Sequence, residues 1–301
     1  MMFPAKPFIF LFVFLFSITN LFAADEGGLS AAFLNYCNSV RNYSLGRTGI
    51  TQYADPSSSL ENSALLTKSK RSVYLMYTQP FSNFDDLKYQ TAYFNAKISE
   101  QVGLGLGFSM LNADNIEYRN SSGVLLGYYN SSSSYYSLGA GLNLNDALNF
   151  GASMRYIKEK IQSRDRTAMT LTAGLNYEII EELSAALIID NIIKIKNDYK
   201  FDQERENIPL KITGEAGYKI LDNFLVNAQL EFKEYQDSIK FAVGTEYGIT
   251  KNFLIHSGYN TRFKEWSAGL GINIDIGNFD YGFGKISELG NTHRFSLTFI
   301  F

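Results

Sequence analysis

The sequence predicts an all-β protein, a transmembrane antiparallel β-barrel of about fourteen strands. Three observations carry this. Apolar residues alternate with polar ones almost without interruption from residue 72 to 301. Glycine collects on the polar parity. Short turns alternate with longer, more polar connections.

The chain of 301 residues opens with Lys6, an apolar run from Phe8 to Phe16, and Leu21-Phe22-Ala23-Ala24 before Asp25. A charged start, a short apolar stretch and small residues at a cleavage point after Ala23 are the pattern of an export signal, residues 1–23. The run is shorter than the ~20 residues a spanning helix needs. No second apolar run of that length follows, so crossing a membrane falls to a closed barrel. Residues 24–71 are rich in Ser, Asn and Gly with no sustained period, and read as irregular or short helical structure. Residues 72–301 form the barrel.

Composition agrees. Gly 24, Tyr 20 and Phe 24 against Pro 5 and Trp 1 suit many strands. Lys+Arg 27 against Asp+Glu 30 gives no basic footprint, which argues against nucleic acid as a partner. The single Cys37 excludes an intrachain disulfide and reads as a buried structural thiol.

The apolar parity runs through Val102–Met110, Tyr136–Leu144, Leu148–Tyr156, Met169–Tyr177, Leu210–Tyr218, Val226–Phe232, Ile239–Tyr247, Phe253–Tyr259, Trp266–Ile274 and Phe279–Phe283, and it carries no charge. Lipid demands this, since a Lys or Arg there costs roughly 2–4 kcal/mol at the midplane. The opposite parity holds a polar set, Arg155, Lys211, Glu215, Glu231, Lys240, Glu246, His256 and Arg262, together with fifteen glycines from Gly103 to Gly284. A soluble sandwich also alternates, but glycine has no reason to gather on its wet face. Lumenal glycine makes room for something inside.

Short turns are expected at Ser99-Glu100, Asn145-Asp146, Glu181-Glu182, Leu221–Asn223, Thr250–Asn252 and Gly277-Asn278. Longer connections are expected at Gln79–Asp86, Asn112–Ser134, Glu159–Arg166, Asp190–Asn207, Glu234–Ser238, Arg262–Glu265 and Lys285–Asn291. Residues 191–206 read as an extended, charged hairpin above the membrane. The last strand places Phe295, Leu297, Phe299 and the terminal Phe301 on one face and Arg294, Ser296 and Thr298 on the other. It reads as the closing strand, with its aromatic face meeting outer-membrane lipid and the barrel-assembly machinery.

Two regions resemble the FadL-like outer-membrane barrels, within them the PorV/PorQ type. The first runs from Arg41 through Leu45-Gly46-Arg47-Thr48-Gly49 and Ala54-Asp55-Pro56 to Asn62-Ser63-Ala64. It is similar to that family's plug signature, with Arg47 in place of methionine, Ser63 in place of proline, and one residue fewer between the blocks. The second covers Gly244–Tyr247, Gly258–Asn260, Gly269–Gly271, Phe279–Tyr281 and Leu289–Arg294, which resemble the family's carboxy-terminal hairpins. The resemblance implies a fourteen-stranded barrel with an N-terminal hatch in its lumen, marked by Leu45, Gly46, Gly49, Asp55, Asn62 and Ala64. It further implies either a channel for hydrophobic or amphipathic small molecules, with an apolar pocket between hatch and wall, or a secretion component handling exported proteins.

Enzymatic chemistry finds little support. Only His256 and His293 exist, and a hydrolytic triad needs a histidine within reach of a nucleophile. His256 shares its face with Glu246 and reads as structural, while His293 points outward. The Gly-x-Gly runs are followed by no helix, so they bind no phosphate, and no cofactor is implied. The lumenal charges read first as an ion-pair network joining barrel and hatch, and second as a polar path. Deleting Phe301 is expected to impair assembly far more than it destabilises a folded barrel; equal yields of heat-modifiable barrel from both chains would refute the closing-strand assignment.

Overall fold

The computed structural model describes residues 31–52, 56–83, 86–197, 200–201, 204–205, 208–236, 238–286 and 290–301. The expected export signal and Asp55 lie outside them.

The strands are β1 (Ser72–Gln79), β2 (Leu87–Lys97), β3 (Val102–Arg119), β4 (Leu125–Asn143), β5 (Leu148–Ile161), β6 (Arg164–Ile180), β7 (Leu183–Asn197), β8 (Lys200–Phe201), β9 (Glu204–Arg205), β10 (Lys211–Leu221), β11 (Phe224–Lys233), β12 (Lys240–Gly248), β13 (Phe253–Asn260), β14 (Glu265–Ile274), β15 (Gly277–Ile286) and β16 (Gly290–Ile300). Fourteen close into one antiparallel barrel, while β8 and β9 form a separate ribbon between β7 and β10. The closure is β1 against β16, with Ser72 opposite Ile300 and Leu75 opposite Leu297. The Phe301 N–H donates to the Arg71 carbonyl, so the barrel begins and ends at its short-turn edge.

Parity holds around the wall. Leu104, Leu138, Met154, Leu175, Leu230, Trp266, Leu270, Phe295, Leu297 and Phe299 are exposed outward, as lipid contact requires. Arg294, Ser296 and Thr298 are buried on the lumenal side.

The wall is uneven in height. β4 runs for 19 residues and β3 for 18, against 8 in β13. At ~3.3 Å per residue β4 spans about 60 Å of strand, beyond what the ~25 Å apolar band requires. Four expected connections are corrected here. Asn112–Ser134 is mostly strand, with only residues 120–124 outside it, and Glu159–Arg166 is a hairpin turning at Gln162-Ser163. β7 continues past Asp190 to Asn197, and the turn placed at Gly277-Asn278 falls at residues 275–276. Strand that stands in water on both faces has no apolar parity, so alternation cannot reveal it. Of the charged stretch 191–206, the described residues form the end of β7 and the β8–β9 ribbon.

Residues 31–52 and 56–71 lie inside the barrel as short helical pieces. These are a 3-10 turn at Ala32–Asn35, helices Val40–Ser44 and Pro56–Glu61, and a second 3-10 turn at Ser63–Thr67. Two rows of small residues receive them. Gly103, Gly141, Gly151 and Gly174 are register partners across β3 to β6. Gly244, Gly258, Ser267 and Gly284 are partners across β12 to β15. A Cβ at any of these seven glycines would lie within 3.0 Å of hatch atoms: Asn62, Ser63, Ala64 and Leu66 at the first row, Tyr43, Leu45, Gly46 and Thr48 at the second.

The lumen is a packed interior and not a uniformly polar one. Inward-facing Tyr74, Met76, Tyr89 and Tyr93 cluster with Val40 and Leu66 of the hatch. Tyr135, Ile157 and Ala168 receive Ala31 and Phe33, and Ala186 and Ile188 receive Ile50. The hatch buries its own apolar side chains and needs apolar partners on the wall.

Gly258→Ala is expected to cost about 1–3 kcal/mol as overpacking and to expose the hatch to protease. Gly214→Ala, where nothing lies within 4 Å, is the neutral control. Equal protease resistance of the two variants would refute the seating.

Candidate functional site: the hatch and its polar cavity

The helix Val40–Ser44 starts at Ser39, whose Oγ accepts from the Asn42 N–H at 3.0 Å, an N-cap. It ends where Gly46 (φ 70°) and Gly49 (φ 112°) adopt left-handed backbone that glycine takes without strain. The Gly46 N–H donates to Ser267 Oγ at 3.0 Å, and its carbonyl accepts from Asn260 Nδ2 at 3.0 Å. Leu45 is fully buried against the wall. Asn62 caps the second 3-10 turn, accepting from the Ala64 N–H at 3.3 Å and donating to the Ile50 carbonyl at 2.8 Å.

Buried charges pin hatch to wall. Arg41 holds Glu246 by two contacts, Nε to Oε2 at 2.6 Å and Nη2 to Oε1 at 2.7 Å. His256 Nε2 stands 3.0 Å from the same Oε2. Arg47, itself at φ 69°, donates to Glu265 from Nε at 2.9 Å and to the Asn35 carbonyl from Nη1 at 2.9 Å, and lies 3.6 Å over the Phe263 ring. Glu265 also accepts from the Tyr43 hydroxyl at 2.5 Å. Arg294 donates to the Cys37 carbonyl at 2.6 Å and stacks 3.8 Å over Tyr43. Lys68 pairs with Glu178.

Glu215 is held differently. The carboxylate is buried and accepts from the Gly49 N–H at 2.9 Å on both oxygens, and from the Thr51 N–H and hydroxyl at 3.3 and 3.1 Å. Successive backbone N–H groups around a left-handed residue make an anion nest, so the turn at Gly49 is itself the counter-charge. Cys37 is buried, and its thiol is pushed up to about 12, first by burial and then by Glu61, as an inert structural thiol requires.

Between the hatch and the taller wall lies a cavity of about 90 Å³. Its lining mixes Leu34, Ile50, Tyr135, Ile188 and Phe263 with Arg155, Asp190, Lys211, Glu231 and Arg262. The expected apolar pocket is thus a mixed, charge-lined one. Asp190 takes Arg155 at 3.2 Å and Lys211 at 3.0 Å, and Arg262 pairs with Glu231. Lys240 is buried across from Glu231 in register.

The sequence-derived lumenal set therefore divides into a hatch anchor (Glu246, His256), a nest ligand (Glu215) and a cavity group (Arg155, Lys211, Glu231, Arg262), with Lys240 opposite Glu231 outside the cavity lining. Sequence reading missed Arg41 as a charge partner, and missed Asp190 and Glu265, which it had placed in connections. The signal for Glu265 was its inward parity with Ser267 and Gly269. Among the described residues, no group of three His, Cys, Asp or Glu side chains is placed to hold a metal.

This geometry defines a class, the fourteen-stranded barrel closed from within by an N-terminal hatch. The sequence matches no protein-family model and no curated protein. Among solved structures, the chain is similar to the toluene transporter TbuX of Ralstonia pickettii, with a TM-score of 0.66 and 13% identity over 87% of this chain and 98% of that one. It is similar to the monoaromatic hydrocarbon channel CymD, with a TM-score of 0.63 and 10% identity over 87% and 97%. It is also similar to a Pseudomonas aeruginosa FadL homologue, with a TM-score of 0.60 and 10% identity over 86% and 97%. The fold is accordingly FadL-like, and these neighbours are transporter and channel barrels.

Arg41→Ala leaves Glu246 buried without its main partner and is expected to cost about 3–5 kcal/mol. The Arg41→Ala/Glu246→Ala double variant is expected to cost less. Thermal unfolding of hatch and barrel checks this, and additive losses would refute a coupled pair.

Proposed function

We propose that this chain is an outer-membrane transport barrel whose hatch gates the passage of an amphipathic small molecule. The observation that carries it is the mixed cavity between hatch and wall, with apolar side chains beside paired charges, inside a barrel of the FadL-like fold. A cavity lined by Ile50, Ile188 and Phe263 as well as by Arg155 and Lys211 suits a molecule with both characters. Under this reading residues 1–23 direct export, the assembly machinery takes the closing strand through Phe295, Leu297, Phe299 and Phe301, and the hatch, residues 24–71, is the part that moves.

The second reading, a component of a protein secretion system at the outer membrane of the PorV/PorQ type, draws on a different observation. The β3–β4 hairpin rises past its neighbours and exposes Tyr118, Val124, Leu126 and Tyr128 near its tip. An apolar tip standing clear of the wall suits contact with another polypeptide.

The test is reconstitution in liposomes. The intact chain is expected to be electrically closed, and deletion of residues 31–70 to open a steady conductance and raise uptake of an amphipathic dye. A deletion variant that assembles and stays closed would refute gating by the hatch. A secretion defect on loss of the hairpin tip, with uptake unchanged, would favour the second reading.

A further inference from the structure

The mixed cavity reaches the loop end of the barrel, where Lys211 opens β10. A second cavity, of about 490 Å³, lies at the short-turn end. Lys219, Leu225, Glu246 and Leu254 line it from the wall, and Gln52 lines it from the hatch. The two cavities sit one above the other on the same strands. Along β10 the inward residues run Lys211 and Thr213 in the loop-end cavity, then Glu215 and Gly217, then Lys219 in the turn-end one. Along β11 they run Glu231 and Gln229, then Asn227 alone, then Leu225. One strip of wall therefore separates the cavities, and one hatch turn, residues 49–52, covers it. Ile50 lines the loop-end cavity, Gln52 the turn-end one, and Thr51 between them bonds Glu215.

The described hydrogen bonds that fasten this turn to the wall all end on Glu215, from the Gly49 N–H and from the N–H and hydroxyl of Thr51. Ile50 adds an apolar contact with Ala186 and Ile188. On either side the hatch is seated on glycine, Leu45 and Gly46 against Gly244 and Gly258, and Asn62, Ser63, Ala64 and Leu66 against the first glycine row. The turn can thus swing while both seats stay filled. Asn227 marks the strip it would uncover. Its side chain is fully buried, and among the described residues neither Oδ1 nor Nδ2 has a hydrogen-bond partner. A Cβ at Gly217 would lie 2.6 Å from Thr51 Oγ1 and 2.8 Å from Asn227 Oδ1, so the amide and the turn stand side by side. An amide buried without partners is costly, and a polar group passing along the strip would satisfy it. We infer that the two cavities are successive stations of one path along β10 and β11, and that the turn at residues 49–52, latched on Glu215, is the gate between them. The inference rests on the transport reading for its cargo, an amphipathic molecule whose polar end passes Asn227.

The test joins one unlatching variant with two cross-links, each in the full chain carrying Cys37→Ser, reconstituted in liposomes once heat-modifiable migration confirms the barrel. Glu215→Gln is expected to open a steady conductance where the parent chain is closed. Oxidising the pair Thr51→Cys and Gly217→Cys in that variant should close it, and reduction should reopen it. Oxidising Ser44→Cys with Gly282→Cys, which pins a seat and leaves the turn free, should keep it open. Uptake of an amphipathic dye by the parent should follow the same pattern, lost under the turn cross-link and kept under the seat cross-link. A folded Glu215→Gln barrel that stays closed, or a conductance closed by the seat cross-link, would overturn the gate. So would a conductance or an uptake that persists with the turn cross-linked, or a folded barrel in which the Thr51 and Gly217 positions never join. A conductance that obeys both cross-links in a barrel that takes up no dye would refute the transport reading and leave the gated path standing; uptake indifferent to both cross-links would do the reverse.

Discussion

The molecule depends on the contact of backbone with backbone where the hatch meets the wall. At Gly151 a Cβ would meet the Ser63 carbonyl carbon and the Ala64 nitrogen, and at Gly258 it would meet Leu45 and Gly46. Only a wall stripped of side chains along these rows lets the hatch approach this closely. The loss is real, since glycine weakens strand interiors. A closed barrel tolerates it because every rung of the ladder is paired on both sides and the sheet has no edge to fray. Close approach in turn brings the hatch's polar backbone within reach of wall side chains such as Ser267 and Asn260, which satisfy it.

Charge then determines orientation where glycine determines fit. Burying Arg41, Arg47 and Arg294 in the lumen would be prohibitive without partners: the wall's Glu246 and Glu265 meet Arg41 and Arg47 of the hatch, and the hatch's Cys37 carbonyl and Tyr43 ring meet Arg294 of the wall. Glu215 shows the converse, a wall carboxylate met by hatch N–H groups with no ion-pair cation among the described residues. Both arrangements fasten the hatch to the same arc of wall, β10 to β14. At the loop end the cavity is lined by Arg155, Lys211 and Arg262 beside Asp190, Glu231 and Glu61.

Much of this was legible in the sequence because a barrel writes its two faces into residue parity. The lipid face from Leu104 to Phe299, the lumenal glycines and the closing β16 follow from alternation alone. The tall β3 and β4 did not, since Ser131–Ser134 stand beyond the apolar band and alternate nothing. Nor did Tyr74, Met76 and Ile157, lumenal residues that are apolar because the hatch needs a core. The partners Arg41–Glu246 and Arg155–Asp190 were beyond reach for a different reason. Which charges meet depends on the strand register and on how a 3-10 turn enters the barrel, and neither leaves a local pattern. The resemblance to FadL-like barrels supplied the hatch motif at Leu45, Gly46, Gly49, Asn62 and Ala64, and the fold comparison supports the architecture while leaving the ligand to chemistry.

The seating of the hatch on glycine is tested most directly by a cross-link across it. A Cβ at Gly282 would stand 2.8 Å from Ser44 Oγ, so in a Cys37→Ser background the pair Ser44→Cys and Gly282→Cys should oxidise to a disulfide in intact cells, in a barrel that still shows heat-modifiable migration. A folded barrel in which the two thiols stay reduced and reactive would contradict a hatch held inside the lumen.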